Sequence, residues 1–403
     1  MQYKVNKGGQ ESRDLINALY LEIGRGHPFY LDGVLEALAR RCEPFARHDI
    51  TEISRGITKA GWKLVNKAYH LGARGGLTSC LYNQLRQRGT SDDYGLMKRI
   101  LARDIRAFSH ATAARYIVSH PLIISMISPE REVYYMHGEI AAPSEAASSR
   151  ATRIFVPLDA TKASFAKSGV ESSKMIVTGL CIEHFLVEQA GESYEKRCAR
   201  LSGQEALTGA FFSSGAEPPP HIRKLLRALM SLKQTGHSAI VFCRKGGRFE
   251  RKIKTGLGIE PIGASSLLSE PDRNSQMTGI RAYSFTTRDE ENRLTGRFFE
   301  QFDYMVAPSH ERTNWALGLG LPTFILYPLI GPYAPLNCRI LLDSGAALEL
   351  RDDLSAESLG EFISVRHNRE VLLKMAESNF GKHKIDGFSA VADYIAGLEK
   401  TAK

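Results

Sequence analysis

Apolar residues in the first half of the chain form short continuous runs and helically spaced positions in turn. Residues 15–23 are an apolar run of the length expected for a buried strand, and Gly24-Arg-Gly-His-Pro28 breaks it. Residues 29–41 then carry apolar side chains at helical spacing, which predicts a helix. Strand, glycine-rich turn and helix in this order are typical of the opening unit of a doubly wound α/β domain.

Four further strand-like runs follow in this half, each closed by a turn signal. Buried strands separated by helical segments predict a mostly parallel sheet. The runs cover residues 116–119, 132–136, 152–156 and 174–178.

Around residues 190–203 the chain becomes polar and charged, and the α/β pattern then starts again. A strand-like run at 206–212 leads into Ser213-Ser-Gly-Ala216, and residues 221–233 place leucines along one side of a helix. Further strand-like runs lie at 239–243, 280–285, 304–307 and 323–327. The pattern predicts an α/β fold of two Rossmann-like domains facing each other across a cleft. We expect domains of residues 1–195 and 196–403, and the last helix is a candidate for packing back on the first domain.

The composition is ordinary for a globular protein, with 43% apolar and 24% charged residues. The sequence has no run of about 18 apolar residues, so we expect no transmembrane helix. The first residues have no apolar run behind their positive charge, so we expect no signal peptide. Six scattered cysteines without zinc-site or redox spacing predict reduced thiols, a cytoplasmic location and no metal.

The net charge of +9 is concentrated in one stretch of the first half. Residues 51–115 hold twelve Lys and Arg against four Asp and Glu. Such an asymmetry predicts an anionic partner. Nucleic acid is the poorer interpretation, because no helix-turn-helix, RNP-type or zinc-finger pattern accompanies the charge. A phosphorylated substrate and an anionic membrane surface stay open.

Four cations of this stretch recur every four residues and form a one-sided stripe on a predicted helix. They are Arg55, Lys59, Lys63 and Lys67, and Trp62 lies among the interleaved apolar residues. A basic amphipathic helix with a tryptophan suits an anionic membrane interface. The alternative is a solvated helix face whose opposite side packs on the sheet.

Histidines follow three of the predicted strands of the first half. They are His27, His120 and His137, with Glu139 two residues after the last. Ligands bind at the carboxyl ends of parallel strands, where a histidine or carboxylate can deprotonate a hydroxyl. Each histidine can equally cap its strand or bond to backbone. Zinc is not expected, since the spacing is neither HxxxH nor HxH.

Small residues in two strand-to-helix turns offer candidate anion sites. Gly24 and Gly26 let a ligand approach the backbone, and Ser213-Ser-Gly215 can cradle a diphosphate with backbone N–H groups. The first motif is GxGH and not GxGxxG, and no acidic residue ends a second strand, so the dinucleotide fingerprint is poorly met. Tight turns without a ligand explain these small residues as well.

Taken in order, these motifs resemble the two-domain GT-B glycosyltransferases over roughly residues 14–395. The branch is the one that contains the peptidoglycan N-acetylglucosaminyltransferase and the monogalactosyl- and diglucosyl-diacylglycerol synthases. The segments that carry the resemblance are Gly24-Arg-Gly-His27, Val177-Thr-Gly-Leu-Cys-Ile182, Phe211-Phe-Ser-Ser-Gly-Ala216, and the series Ser309, Thr313, Gly320-Leu-Pro322, Pro328, Asn337 and Gly345-Ala-Ala347.

The resemblance implies a metal-independent glycosyltransferase that moves a sugar from a nucleotide-sugar, most simply a UDP-sugar, to a lipid-linked or other membrane-proximal acceptor. It implies a cytoplasmic location at the inner face of the membrane, and no cofactor beyond the nucleotide-sugar co-substrate. His27, or Glu139 in its place, would be the general base, with Gly24, Gly26, His120 and His137 on the acceptor side. The donor-binding residues would be Ser213, Ser214, Gly215, Phe285, Thr286, Ser309, His310, Thr313, Asn314 and Asn337.

Two departures from the family's pattern keep other functions open. Family members usually carry a ribose-binding glutamate five residues before the glycine of Gly-Leu-Pro, but Trp315 stands there, and Glu311 comes one turn too early. Tyr333 and Ala334 stand where the family tends to have glutamines that bind the donor sugar. The alternatives are a non-catalytic GT-B protein that binds a nucleotide or a partner, and a sugar-nucleotide epimerase, which shares the two-domain architecture.

Overall fold

The structure is a computed structural model that describes residues 15–21, 26–72, 95–112, 114–268 and 278–397. The described residues divide into two compact units. The first comprises residues up to 181 together with those from 386 onward, and the second comprises residues 182–385. The change of unit at 181/182 lies before the sequence-predicted boundary at 195/196, because the charged segment that suggested the boundary is a helix of the second unit.

The first unit is built on a six-stranded sheet in the order β2-β1-β3-β4-β5-β6. All of its strand pairs are parallel. The strands are β1 Ile16–Tyr20, β2 Phe45–Asp49, β3 Arg115–Val118, β4 Val133–Met136, β5 Arg153–Val156 and β6 Met175–Val177.

Helices connect these strands and cover the sheet. They are α1 Gly26–Arg40, α2 Ile50–Ile53, α3 Gly56–Gly72, α4 Leu96–Ala111, α5 Pro121–Ile124 and α6 Asp159–Lys167. The core joins side chains of β1, β3, β4 and β5 to the apolar face of α1, including Phe29 and Val34. A helix from the far end of the chain, Gly387–Ile395, contributes Phe388 and Val391 to the same core.

The second unit is built on a seven-stranded parallel sheet in the order β13-β12-β11-β7-β8-β10-β9. The strands are β7 Thr208–Phe212, β8 Ser238–Arg244, β9 Ile262–Gly263, β10 Ile280–Phe285, β11 Tyr304–Ala307, β12 Thr323–Leu326 and β13 Ala347–Leu350.

The helices of the second unit begin with α7 His184–Glu188, and the helix at the chain's far end is α18 of the first unit. Between them the second unit has α8 Ala190–Ser202, α9 Pro219–Gln234, α10 Arg248–Leu257, α11 Ala264–Leu268, α12 Arg288–Phe298, α13 Thr313–Gly318, α14 Tyr333–Asp343, α15 Asp353–Glu357, α16 Leu359–Ser364 and α17 Arg366–Asn379. Proline residues begin α9, as expected at a helix start where the N–H has no partner. Its buried leucines pack with β7, β8 and β11 in one core.

The predicted α/β fold with two parallel sheets is confirmed. A strand overlaps each of the predicted runs, and helices cover 29–40 and 221–233. None of the described helices is both long enough and apolar enough to cross a membrane.

Candidate functional site

The first unit places its candidate residues where its strand order reverses. The chain runs from β1 to β2 on one side of β1, and β3 pairs on the other side. The crevice outside the carboxyl ends of two such strands is the usual ligand site of an open α/β sheet. His27 lies just beyond β1, and Ser119 and His120 lie just beyond β3.

His27 is held by the turn that follows β3. Its Nδ1 lies 2.8 Å from the carbonyl oxygen of Ser119, and the Ser119 hydroxyl donates to the carbonyl oxygen of His27 at 2.6 Å. A carbonyl oxygen accepts hydrogen bonds and cannot donate them, so Nδ1 of His27 carries the proton. In the neutral form of the ring, Nε2 is then the nitrogen that can accept a proton, which is the orientation a general base requires.

His120 has the opposite tautomer. The backbone N–H of Leu122 donates to its Nδ1 at 3.2 Å, capping the short helix α5, so the proton of the neutral ring is on Nε2. The centroids of the two rings are 4.4 Å apart, with the rings tilted by 50°. The fold thus brings together one imidazole whose Nε2 accepts and a second whose Nε2 donates.

Glu139 joins this pair from the turn after β4. Its side chain is buried, and Oε1 lies 3.2 Å from the place a Cβ would occupy on Gly26. A carboxylate at the first turn of a 15-residue helix is stabilised by the helix dipole. Gly138 permits this approach, because a Cβ there would overlap the ring of Tyr30. His27, His120 and Glu139 form the acid–base cluster of the first unit.

His137 is nearby, but the fold already uses both of its ring nitrogens. Its Nε2 donates to the carbonyl oxygen of Ala141 at 3.0 Å, and Nδ1 accepts from the Tyr135 hydroxyl at 3.1 Å. Burial lowers the pKa of His137 to about 3, so the ring is neutral. These bonds give His137 a structural place under the cluster. Gly24, the other glycine of the turn, lies outside the described residues.

The second unit also has its candidates at a reversal of strand order. The chain continues from β7 to β8 on one side, and β11 pairs with β7 on the other. Ser213, Ser214 and Gly215 follow β7, and residues 309–314 follow β11. A nucleotide is expected at such a crevice.

Three candidate polar residues of the second unit use their side chains for hydrogen bonds within the fold. The Ser309 hydroxyl donates to the carbonyl oxygen of Ala334 at 2.9 Å, and the Asn337 amide donates to the carbonyl oxygen of Ser309 at 3.1 Å. The Asn314 amide donates to the carbonyl oxygen of Glu311 at 3.0 Å. Their side chains are buried and hold two loops together.

Other candidates at the same edge have polar atoms without such a role. Among the described residues, the buried hydroxyl oxygens of Ser213 and Thr313 have no hydrogen-bond partner. Gly215 is exposed and Ser214 half-buried. Burial lowers the pKa of His310, which keeps that ring neutral.

Phe285 and Thr286 follow β10, and their backbone groups are engaged. The N–H of Thr286 donates to Oε2 of Glu290 at 2.6 Å, and the carbonyl oxygen of Phe285 accepts from the N–H of Lys245 at 2.8 Å. Glu290 also forms a capping box with Thr287 at the start of α12. These two candidates therefore lie in a turn that is closed by its own hydrogen bonds.

Trp315 is a buried residue of the second unit. Its indole N–H donates to Oε2 of Glu183 at 2.9 Å, and its ring meets the edges of Phe212 and Phe299. Glu183 is buried as well, so this bond satisfies the indole N–H and one oxygen of the carboxylate. The position that holds a carboxylate in the resembled family is here part of the core.

Arg312 is a buried cation that the sequence analysis did not single out. Its guanidinium pairs with Glu291 and, at 3.2 Å, with Glu311, and its Cζ lies 3.9 Å from the centroid of the Phe212 ring. Two carboxylates and an aromatic face compensate the cost of burying the charge. Glu311 lies 20 residues after Glu291, so no local pattern predicts this network.

The basic stripe is exposed, but its tryptophan is not. Lys59, Lys63 and Lys67 lie on the solvent side of α3, and Arg55 is exposed just before it. Trp62 is 1% exposed and donates to the carbonyl oxygen of Leu101 at 3.3 Å, which packs α3 on α4. The prediction that Trp62 lies in a membrane interface is therefore wrong, because α3 needs this large apolar side chain for packing.

The fold of this chain is similar to that of several solved structures, although its sequence is not similar to those of known families. The sequence matches no family model and no curated protein. Among solved structures, the S. aureus MnaA complex with UDP matches with a TM-score of 0.52 at 10% identity, over 96% of this chain and 97% of that chain. The Neisseria meningitidis UDP-GlcNAc 2-epimerase bound to UDP-GlcNAc matches with a TM-score of 0.50 at 11% identity, over 95% and 98%.

A protein from Listeria monocytogenes assigned as a UDP-N-acetylglucosamine 2-epimerase matches with a TM-score of 0.52 at 11% identity, over 97% of this chain and 98% of that chain. At such identities the likeness establishes the fold, which is the two-domain Rossmann-like fold of the GT-B class. The particular glycosyltransferase branch stays a resemblance of sequence motifs.

The prediction of a glycosyltransferase with a lipid-linked acceptor is wrong. The structural matches that reach a TM-score of 0.50 include UDP-GlcNAc 2-epimerases and a UDP complex, and they favour the epimerase alternative. The prediction rests on the series of matches from Ser309 to Ala347 in the second unit. A fold shared by several activities does not distinguish sugar transfer from epimerisation.

Proposed function

We propose that this protein is an epimerase of UDP-sugars, an enzyme that inverts one carbon of a sugar attached to UDP. The observation that carries the proposal is the acid–base cluster of the first unit. His27 offers a nitrogen that accepts a proton, and His120, 4.4 Å away between ring centroids, offers one that donates. The UDP-bound and UDP-GlcNAc-bound proteins that share the fold support the choice of nucleotide.

Epimerisation at a carbon that bears hydrogen requires a base to remove the proton and an acid to return one to the opposite face. A sugar C–H is not acidic by itself. Its loss therefore has to accompany departure of the diphosphate from the neighbouring carbon, and the reverse addition restores both bonds. The net reaction consumes no other reactant. We assign the role of base to His27 and that of acid to His120 or Glu139.

The second unit would bind the UDP part. Its crevice at the ends of β7 and β11 has two buried hydroxyls, Ser213 and Thr313, that the described fold leaves unpaired. Hydroxyl donors suit a diphosphate, and they can stabilise it as it separates from the sugar.

The test is a proton NMR assay in D₂O with UDP-GlcNAc, UDP-GalNAc and UDP-glucose as separate substrates. The expected result is a second anomeric signal from the epimer, with deuterium at the inverted carbon. A parallel thermal-shift titration with UDP reports binding, because a ligand at 100 times its dissociation constant stabilises the folded state by about 2.7 kcal/mol. Binding of UDP without epimer or deuterium exchange would replace the proposal by a non-catalytic nucleotide-binding protein. Absence of UDP binding would overturn both.

We also propose that the exposed face of α3 binds an anionic membrane surface, which is a separate property from catalysis. Ile57 is 70% exposed and Leu64 is 60% exposed, one heptad apart on the helix that carries Lys59, Lys63 and Lys67. Exposed apolar side chains beside a row of lysines are the pattern of a helix that lies in an interface. Each lysine near an anionic surface contributes about 1 kcal/mol.

Co-sedimentation with vesicles tests this face. We expect binding to phosphatidylglycerol vesicles and little to phosphatidylcholine vesicles. The triple change Lys59→Gln, Lys63→Gln and Lys67→Gln should weaken it at least tenfold. The matched control, Arg339→Gln with Arg366→Gln, removes exposed charge from the second unit and should leave binding unchanged. Equal binding to both lipids, or equal effects of the two sets of changes, would count against the proposal.

A further inference from the structure

His221 is a buried titratable side chain that has no role in the function proposed above. It is the third residue of α9, the helix that follows β7, and it is 1% exposed. Its Nε2 lies 2.8 Å from the carbonyl oxygen of Pro328, in the loop after β12. Because that oxygen can only accept, Nε2 carries the proton, and Nδ1 is a hydrogen-bond acceptor.

That acceptor is left unpaired by the described residues, none of which donates to Nδ1. A buried acceptor without a partner destabilises the folded state. A second proton on the ring would turn Nδ1 into a donor, but the ring does not take up that proton at neutral pH. Burial, with smaller contributions from the nearby His310 and Lys224, lowers the pKa of His221 to about 4. At neutral pH the side chain is an imidazole that needs a donor.

The position of the ring indicates where that donor comes from. His221 bridges from the helix after β7 to the loop after β12, and β11 lies between those strands in the sheet. The ring therefore lies at the end of β11, beside His310. The unpaired hydroxyls of Ser213 and Thr313 belong to the turns that follow β7 and β11. Three buried polar atoms with no partner among the described residues thus gather at one strand edge.

We propose that Nδ1 of His221 accepts a hydrogen bond from a hydroxyl or N–H group of the ligand bound by the second unit. This inference rests on the proposed UDP-sugar function and assigns a specificity residue to it. The partner is the nucleoside or the sugar and not the diphosphate, because diphosphate oxygens in a UDP-sugar carry no proton at neutral pH and cannot donate. The bond from Nε2 to Pro328 fixes the tautomer that this recognition requires.

Two substitutions separate the two nitrogens of the ring. His221→Gln places an amide N–H near the former Nε2, so the bond to Pro328 is kept and the acceptor at the Nδ1 position is lost. His221→Asn places an amide oxygen near the former Nδ1, so the acceptor is kept and the bond to Pro328 is lost. A purely structural role predicts damage from Asn and none from Gln, and a ligand-binding role predicts the reverse for affinity.

Isothermal titration with UDP, UDP-GlcNAc and inorganic pyrophosphate, with thermal unfolding in parallel, is the experiment. We expect His221→Gln to unfold like the wild type and to bind UDP or UDP-GlcNAc about tenfold more weakly, with pyrophosphate affinity unchanged. His221→Asn should be less stable and keep affinity within about threefold. In the wild type, the ¹⁵N signal of Nδ1 should move on addition of the UDP compound.

Unchanged affinity of His221→Gln for both UDP compounds would overturn the inference and leave the proposed function standing. A parallel loss of pyrophosphate affinity, growing as the pH is lowered, would show a protonated ring on the diphosphate and would also overturn it. If the wild type binds neither UDP compound, the proposed function itself fails and this inference fails with it.

Discussion

The two units have the same kind of sheet and the same kind of crevice, but they use their polar side chains differently. In the first unit, backbone groups hold the rings of His27 and His120 in opposite tautomers. In the second unit, the side chains of Ser309 and Asn337 donate hydrogen bonds to backbone carbonyl oxygens of neighbouring loops. Backbone contacts thus fix the histidines of the first crevice, whereas two of the polar side chains at the second crevice hold loops together.

This difference shows what a motif can and cannot establish. A hydroxyl or amide at the end of a strand has two uses, to close a loop or to bind a ligand, and the motif looks the same in both cases. The hydrogen-bond partner decides between them. By that criterion Ser213, Thr313 and His221 are candidates for ligand binding in the second unit, since the described residues leave a buried polar atom of each unpaired.

The largest difference between the two units is expected when the ring nitrogens proposed for catalysis in the first unit are removed without disturbing its folding. His27→Asn keeps an N–H for the carbonyl of Ser119, and His120→Asn keeps an acceptor for the N–H of Leu122. Each should lower the rate of epimer formation by about 10²- to 10⁴-fold, the usual contribution of a positioned acid or base. The melting temperature should stay near that of the wild type. Ser309→Ala, the counterpart in the second unit, should instead cost stability. Full activity in both asparagine variants would place the chemistry elsewhere.

Acid should destabilise both units through neutral buried histidines. Burial lowers the pKa of His137 to about 3 and that of His237 to about 4, below the ordinary value of 6.5. The unfolded chain therefore binds protons first as the pH falls. The stabilisation is complete above pH 6.5 and is lost progressively as the pH falls toward 4. Denaturant titrations at pH 7, 5.5 and 4.5 should show a loss of several kcal/mol. His367→Gln, an exposed control, should leave the slope unchanged, and a free energy independent of pH would contradict the argument.

Gly138→Ala tests whether the position of Glu139 depends on the close packing of its turn against α1. The added Cβ would overlap the ring of Tyr30, so the turn must shift. We expect a loss of about 1–3 kcal/mol in the free energy of unfolding, together with reduced activity, because Glu139 moves with the turn. Gly215→Ala in the second unit has no atom within 4 Å of its Cβ and should change stability by less than about 0.5 kcal/mol. Equal effects would show that the contact at Gly138 is readily relaxed.

The last effect is one on stability alone, at the buried pair of Trp315 and Glu183. Trp315→Phe removes the indole N–H and leaves a buried carboxylate oxygen without its donor, which should cost about 1–3 kcal/mol. Glu183→Gln keeps an oxygen acceptor and should cost less. Thermal unfolding of both variants and of the double variant measures the coupling between them. Additive losses would mean that the hydrogen bond contributes little.

The sequence pattern predicted the parallel sheets because central strands are buried on both faces and appear as continuous apolar runs. It missed β2, β9 and β13 for the same reason. All three are edge strands, and β2, with the sequence Phe-Ala-Arg-His-Asp, is only partly buried. Edge strands carry polar side chains on their open side, so their pattern resembles a loop.

For the candidate site, the sequence pattern predicted where the histidines lie but not which groups they bond to. It placed His27 and His120 after strands that the sheet brings side by side, because carboxyl ends of parallel strands share one edge. It could not give the tautomers, since His27 and Ser119 are far apart in sequence and meet only in the fold. The burial of Trp62 was missed because an amphipathic helix has the same sequence pattern whether its apolar side faces a membrane or another helix.

The helix Gly387–Ile395 completes the core of the first unit after the whole of the second unit has been passed in the chain. The second unit is therefore an insertion within the first. During synthesis, residues 182–385 emerge as a complete unit before Phe388 is available to fill the space against Gly33. We expect the second unit to fold first on the ribosome, reversing the usual order in which the N-terminal domain leads. The first unit would acquire its final packing only when α18 is released.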